Sequence, residues 1–129
     1  MMDSIADMLI MIKNAQMSRK NTASVPYSKL KMEIAKVLKR EKLIKEVEKK
    51  GKNEKTMEII LAYDENGNPV ISNVKRVSKP SCRVYTQCGD IRSVKGGMGL
   101  QIITTPKGIL TNKEARKEKV GGEILCEIW

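Results

Sequence analysis

Apolar side chains recur every three or four residues in two stretches of the first forty residues, and this spacing predicts two amphipathic α-helices. The two stripes consist of Ile5, Met8, Leu9 and Ile12 and of Leu30, Ile34, Val37 and Leu38. Ser4 with Asp7 resembles a capping box for the first helix, which we expect to end near Gln16, and Ser28 is placed to cap the second. Lys29, Lys31 and three other basic residues are expected to lie off the second stripe.

Shorter apolar runs with turn residues between them predict strands. Residues 43–48 and 57–63 read as a hairpin that turns at Gly51, Lys52 and Asn53, and residues 21–26 read as a short extended link. The polar hexapeptide at residues 64–69 is rich in turn formers, so we place a domain boundary there. The sequence thus predicts an N-terminal lobe, residues 1–66, and a C-terminal lobe, residues 67–129.

The C-terminal lobe is predicted to be mostly β structure. Its expected strands are residues 70–77, 82–87, 100–105 and 123–128. Thr111 and Glu114 form a second capping box, which predicts a short helix from Asn112 to about Lys119 that Gly121 and Gly122 bring to an end. The fold class is therefore α+β, with an N-terminal helix-strand-helix-hairpin lobe and a C-terminal β-rich lobe with one short helix.

Composition then narrows the function. The 129 residues carry 25 Lys and Arg against 15 Asp and Glu, a net charge of +10, which favours a polyanionic partner such as nucleic acid. Histidine is absent, which argues against an enzyme, and four aromatic residues are too few to stack a single strand of bases. Three cysteines without metal-ligand spacing suggest neither disulfides nor a metal site, and suit a reducing cytosolic compartment. We expect no cofactor, no secretory signal and no membrane span.

Positive charge is concentrated between residues 75 and 107. The basic residues there are Lys75, Arg76, Lys79, Arg83, Arg92, Lys95 and Lys107, and the one acid is Asp90. This imbalance favours phosphate contacts over an ordinary solvated surface. In residues 41–55 both signs mix, so we interpret that stretch as a solvated hairpin.

The predicted turn after residues 100–105 combines two hydroxyls with a cation, in Thr104, Thr105 and Lys107. Such groups suit ribose 2′-hydroxyls and phosphates of folded RNA, although Thr is also common in ordinary strands. Arg83 and Tyr85 are two residues apart, on one side of a predicted strand. Gly96, Gly97 and Gly99 fit no phosphate-loop pattern, so they indicate a tight loop.

Taken together, the motifs resemble a known family over almost the entire chain. In order they are residues 3–9 (DSIADML) with Ile12, Lys13 and Asn14, then 28–31 (SKLK), 75–80 (KRVSKP), 83–85 (RVY), 97–100 (GMGL), 107–108 (KG) and 121–126 (GGEILC). This set resembles the bacterial small-subunit ribosomal protein S-eight family. The resemblance implies two α/β lobes that bind the central domain of the small-subunit ribosomal RNA, mainly through the C-terminal lobe.

The resemblance also implies site residues. The positions that match RNA-contacting positions of the family are Tyr85, Thr104, Thr105, Lys107, Gly108 and Glu123. Lys79 and Arg83 would add salt-dependent affinity, and Lys13, Lys29 and Lys31 would anchor the first lobe. Pro106 departs from the family, whose usual loop is Ser-Thr-Ser-Lys-Gly, and removes a hydroxyl and a backbone donor.

We therefore expect a non-enzymatic constituent of the small ribosomal subunit, in the cytoplasm or an equivalent organelle compartment, that supports assembly. Its expected partners are ribosomal RNA and neighbouring ribosomal proteins, with its own messenger RNA left open, and the free protein is expected to be a monomer. A free-standing regulator that binds DNA or messenger RNA is the alternative. An enzyme with a cysteine nucleophile ranks last, because no histidine is present to activate the thiol.

Overall fold

The computed structural model describes residues 4–94 and 97–129, without the side chains of Ser4 and Glu54. Contacts between Cα atoms divide the chain into two compact units that meet in sequence between Ser72 and Asn73. The sequence predicts the boundary six residues earlier, at residue 66. Three residues used above, Asp3, Lys95 and Gly96, lie outside the described residues.

The first unit contains two helices and a three-stranded sheet. Its elements are α1 (Ser4–Met17), β1 (Thr22–Pro26), α2 (Lys29–Arg40), β2 (Ile44–Lys50) and β3 (Thr56–Leu61). The strands are antiparallel in the order β1-β3-β2. Both predicted helices and the predicted hairpin are confirmed, and Ser28 caps α2 by accepting a hydrogen bond from the Lys31 amide at 3.1 Å. The predicted extended link is an edge strand of the sheet.

One prediction about α2 is wrong. Lys31 does not lie off the apolar stripe, because it is 6% exposed, whereas Leu30 is 42% exposed. Lys31 precedes the fully buried Ile34 and Ala35 by three and four residues, so helical geometry places it on their face. Its aliphatic stem can cover apolar surface there.

The second unit is a sheet built around its last strand. Its elements are β4 (Val74–Arg76), β5 (Tyr85–Thr86), β6 (Leu100–Thr105), β7 (Gly108–Thr111), α3 (Asn112–Glu118) and β8 (Gly122–Ile128). The order is β4-β8-β6-β7, β5 also pairs with β8, and every pairing is antiparallel. Ile91, Ile103 and Ala115 form a buried cluster beside this sheet, and α3 contributes Ala115.

Two predicted strands of this unit are too long, and one strand escaped prediction. Residues 70–77 and 82–87 contain only the three-residue β4 and the two-residue β5, which pair in succession with different parts of β8. Val77, Ser78 and Val84 still form backbone hydrogen bonds with β8, and only residues 79–83 leave the sheet. β7 was missed because only four residues separate the 106–107 turn from α3, too few to show a period of two.

The helix ends share one device. Arg19, Lys42 and Lys119, which follow or cap α1, α2 and α3, have left-handed φ angles of 58°, 62° and 59°. At each end two backbone amides bond back to the last turn, as in the Schellman motif. The capping box of Thr111 and Glu114 at the start of α3 is confirmed. The predicted stop at Gly121 and Gly122 is replaced by Lys119.

Candidate nucleic-acid interface

Three predicted site residues form one row across the sheet of the second unit. Glu123 on β8 is the partner of Tyr85 on β5 and of Thr104 on β6. Side chains directly opposite each other in antiparallel strands project to the same face, so an aromatic ring, a carboxylate and a hydroxyl lie side by side. Tyr85 is 69% exposed, Glu123 is 9% exposed and Thr104 is half-buried. The row therefore presents an exposed ring beside two polar groups held by the sheet.

Arg83 is tied to this row through Glu123. Arg83 Nη1 donates to Glu123 Oε2 at 3.0 Å and to Oε1 at 3.4 Å. The arginine side chain is 56% exposed and the glutamate side chain 11% exposed. Since a guanidinium carries five N–H donors, this contact fixes the arginine and leaves other donors directed elsewhere. Glu123 thus orients a cation at the edge of the row, a role that the sequence did not reveal.

Lys79 lies on a short hairpin that a buried serine closes. Ser78 is fully buried; its hydroxyl accepts from the Val84 amide at 2.7 Å and donates to the Val84 carbonyl at 3.1 Å. Lys79 and Cys82 exchange two backbone hydrogen bonds around Pro80 and Ser81. These bonds hold the exposed Lys79 next to the strand that carries Tyr85. Nothing in the local sequence indicates this role of Ser78, since its hydroxyl closes a loop by bonding to a residue six positions later.

The Thr105 hydroxyl shapes the β6–β7 turn. It donates to the Gly108 carbonyl at 2.8 Å and accepts from the Lys107 amide at 3.1 Å. Gly108 has φ +111°, a conformation that suits glycine, and Pro106 occupies the first position of the two-residue turn, where a fixed φ is favourable. The hydroxyl proton is therefore used inside the turn. Thr104, one residue earlier, has no hydrogen-bond partner for its hydroxyl among the described residues.

Lys107 projects from the turn and pairs with α3. Its Nζ lies 3.3 Å from Glu118 Oε2, and the two side chains are 56% and 51% exposed. An exposed pair of this kind contributes roughly 0–1 kcal/mol and opens readily. Lys107 is therefore accessible to another anion, with Glu118 as its resting partner. Eleven residues and two elements separate the pair, so no sequence pattern indicates it.

The predicted anchors of the first lobe belong to the other unit. Lys29 is exposed in the first turn of α2, Lys13 is half-buried in α1, and Lys31 is buried. Among residues 4–94 and 97–129 no group of three potential metal ligands converges. Cys82 is exposed, Cys88 half-buried and Cys126 buried, and these three described cysteines form no disulfide. In that same part of the chain no helix has the length and hydropathy to span a bilayer.

The exposed edge of the second unit thus joins three cations to hydroxyl, carboxylate and aromatic groups, an inventory that suits binding rather than bond making. The sequence profile of ribosomal protein S8 matches residues 3–129. This chain belongs to the ribosomal protein S8 family. The resemblance drawn from the motifs is therefore confirmed. Because the family consists of structural ribosomal proteins, the chain is not an enzyme.

Individual relatives agree over their full length. The proteins named small ribosomal subunit protein uS8 in Roseiflexus castenholzii and Solibacter usitatus are 48% and 50% identical to this chain, and each alignment covers 98% of it and 97% or 98% of the relative. The uS8 protein of Acidovorax sp. strain JS42 is 51% identical over 129 residues. The chain therefore matches these relatives over nearly their whole length.

Proposed function

We propose that this protein is a structural constituent of the small ribosomal subunit that binds the central domain of small-subunit ribosomal RNA directly and supports subunit assembly. Family membership supports the ribosomal role. The observation that carries RNA binding is the row of Tyr85, Glu123 and Thr104, flanked by the Lys79 hairpin and the Lys107 turn.

The cations supply affinity in this proposal. Lys79, Arg83 and Lys107 are all exposed, and each can neutralise a phosphate and release counterions. Lys107 exchanges Glu118 for a phosphate at little cost, since its ion pair is exposed. Arg83 keeps Glu123 and offers its remaining N–H groups, so the carboxylate acts as a positioning group for the guanidinium.

The row supplies register and discrimination. The Thr104 hydroxyl can donate to and accept from a ribose 2′-hydroxyl, which only RNA offers. Tyr85 presents an exposed ring that can stack on a base or sugar next to it. Thr105 and Gly108 act indirectly, because their hydrogen bond fixes the turn that positions Lys107. Folded RNA, which presents hydroxyls and phosphates together, fits this set of groups.

The partners follow from the same proposal. The protein works on the ribosome among neighbouring small-subunit proteins, in the cytoplasm or the equivalent organelle compartment, and is a monomer when free. Its own messenger RNA would be a second ligand only if it mimics the ribosomal site. Lys29 remains a proposed contact of the first unit, since it is exposed.

Binding of the full chain to a central-domain RNA fragment tests the proposal. We expect specific binding, with a logarithm of the affinity that falls linearly with the logarithm of the salt concentration. Lys79→Gln should lower the slope of that line by roughly 0.7 to 0.9. Lys36→Gln is the matched control, because Lys36 is an exposed lysine on α2 that pairs with Glu33. Equal affinity for unrelated folded RNA, or no cosedimentation with small subunits at moderate salt, would refute the proposal.

A further inference from the structure

A cleft of about 770 Å³ on the first unit is lined by three lysines. Lys39 is near the end of α2, Lys42 follows that helix, and Lys45 is in β2. Asn21 and Tyr63 also line the cleft, and in the described part of the chain no acidic side chain does. The mixed charges of residues 41–55 predict an ordinary solvated hairpin. Lys50 at its far end does pair with acidic neighbours, but the fold gathers Lys42 and Lys45 beside Lys39 in one cleft.

Two backbone irregularities bring the lysines together. Lys42 has φ +62° at the position after a helix where glycine is most common. Lys45 is the extra residue of a β-bulge, because Ile44 pairs with Leu61 and Glu46 pairs with Ile60, which leaves Lys45 without a partner. Bulges redirect side chains and often occur at functional sites. Lys42 therefore occupies a position where a left-handed backbone disfavours a side chain, and Lys45 occupies a position where the strand pairing is interrupted.

The positive charge of the cleft is only partly neutralised by the described residues. Lys39 pairs with Glu46 at 2.8 Å, but neither Lys42 nor Lys45 has a hydrogen-bond or ion-pair partner for its ammonium group among the described residues. A smaller cleft of about 360 Å³ shares Asn21 and Tyr63 and adds Arg19. Its guanidinium donates to neutral acceptors on Gly67 and Asn68 and has no acidic partner in the described part of the chain. The basic surface therefore continues from Lys45 past Tyr63 to Arg19.

We propose that this cleft is a second anion-binding site that takes the phosphodiester backbone of RNA, with Lys42 and Lys45 each on one phosphate. Its open, extended line of cations suits successive phosphates of a polyanion. Arg19 lengthens that line. The inference rests on the proposed function only for the choice of RNA as the polyanion, because the residues belong to the other unit.

The experiment compares two double variants of the full chain that lose the same charge. The first variant, Lys42→Gln with Lys45→Gln, removes two of the three lysine charges of the cleft. The second, Lys52→Gln with Lys55→Gln, removes two exposed lysines from the other end of the same hairpin. The probe is a short A-form RNA duplex of unrelated sequence, titrated over a range of salt concentrations. We expect the cleft variant to lower the slope of log affinity against log salt by about 1.4 to 1.8, two phosphates' worth, and the control to leave it unchanged. Equal losses in both variants, or none in either, would overturn the proposal.

A single variant separates ligand binding from folding. Lys42→Gly suits the left-handed backbone, so we expect an equal or higher Tm with a slope lower by about 0.7 to 0.9. A lower Tm with an unchanged slope would overturn the proposal, since Lys42 would then serve only to cap α2. A second titration uses inorganic phosphate in place of RNA and follows the NMR resonances of Lys42 and Lys45. If phosphate shifts these resonances and the RNA duplex does not, the cleft binds small anions and the assignment to RNA is wrong. If specific binding of the central-domain fragment is absent but the cleft variant still changes the slope with the unrelated duplex, the proposed function fails and this inference stands.

Discussion

A Cβ atom on Gly122 would lie 1.9 Å from the carbonyl oxygen of Thr104 on the neighbouring strand. At Gly121 the corresponding atom would lie 2.3 Å from the carbonyl oxygen of Thr86 on β5. Gly121, just before β8, and Gly122, its first residue, thus lie close to backbone atoms of β5 and β6 respectively. This close approach places Glu123, the next residue, between Tyr85 and Thr104.

Gly122→Ala should therefore force β8 away from β6. We expect a loss of roughly 3 kcal/mol or more in the free energy of unfolding, because the obstructing atom is backbone and cannot rotate aside. Thermal or denaturant unfolding measures it. Gly89→Ala is the control: a Cβ there meets nothing within 4 Å, so its stability should change by no more than about 0.5 kcal/mol. Equal stability of the two variants would contradict the packing argument.

The pairing of Lys39 with Glu46 predicts a dependence on pH. The hydrogen bond from Lys39 and that from the Val47 amide lower the pKa of Glu46 below the ordinary glutamate value. A carboxylate whose pKa is lower when folded contributes stability that is present above its unfolded pKa and is lost as the pH falls through the folded pKa. Glu46→Gln should thus flatten the acid arm of the stability curve.

The size of that effect is small, since solvent screens an exposed pair. Urea unfolding at a series of pH values from neutral into the acid range would measure it. Glu65→Gln serves as the control, because Glu65 is exposed and has no ion-pair partner in the described residues. A parallel acid arm in the Glu46 and Glu65 variants would contradict the prediction.

Exchange of the Lys107 partner yields a prediction on binding. Glu118→Gln should raise RNA affinity by removing both a competitor for Lys107 and a negative charge near the turn, while the salt slope stays the same. Lys107→Gln should lower the slope by roughly 0.7 to 0.9. Stability should hardly change in either variant, because the pair is exposed. A salt titration of RNA binding checks both, and a Glu118 variant that weakens binding would show that the pair is needed to aim Lys107.

Local signals explain which elements the sequence could predict. α1, α2, β6 and β8 have a clear apolar pattern, and the caps Ser28 and Thr111 mark the starts of α2 and α3, so the predicted ends of these elements lie close to the observed ones. β5 was predicted too long and β7 was missed, because the length of each depends on how many residues of β8 or β6 can pair with it. That is information from distant parts of the chain.

The candidate site divides in the same way. Residue type and family motif agree at Tyr85, Thr104 and Lys107, so the sequence predicts these three as site residues. That Glu123 holds Arg83, and that Thr105 is used within its own turn, depends on contacts across forty and three residues that no pattern specifies. Lys42 and Lys45 are exposed, as a solvated hairpin predicts, but a mixed run of charges does not show that the fold brings them to one cleft.

Thr104 and Thr105 are adjacent in sequence but should respond differently to loss of the hydroxyl. The Thr104 hydroxyl has no hydrogen-bond partner among the described residues, so Thr104→Val should leave the free energy of unfolding unchanged while it weakens RNA binding by roughly 1 to 3 kcal/mol. Thr105→Val removes two hydrogen bonds of the turn and should cost about 0.5 to 1.5 kcal/mol of stability, with a loss of binding that follows from the displaced Lys107.

A comparison of sugars tells the two roles apart. The two Val variants and Thr105→Ser should be measured for Tm and for affinity to the RNA site, with and without 2′-deoxy sugars at footprinted positions. Thr104→Val should lose the preference for ribose because its hydroxyl reads the 2′-hydroxyl directly, whereas Thr105→Val should weaken both ligands alike. Thr105→Ser keeps the turn's hydroxyl and should behave as the unaltered protein. If instead Thr105→Val loses the ribose preference while its Tm is unchanged, the hydroxyl inside the turn is the one that contacts RNA.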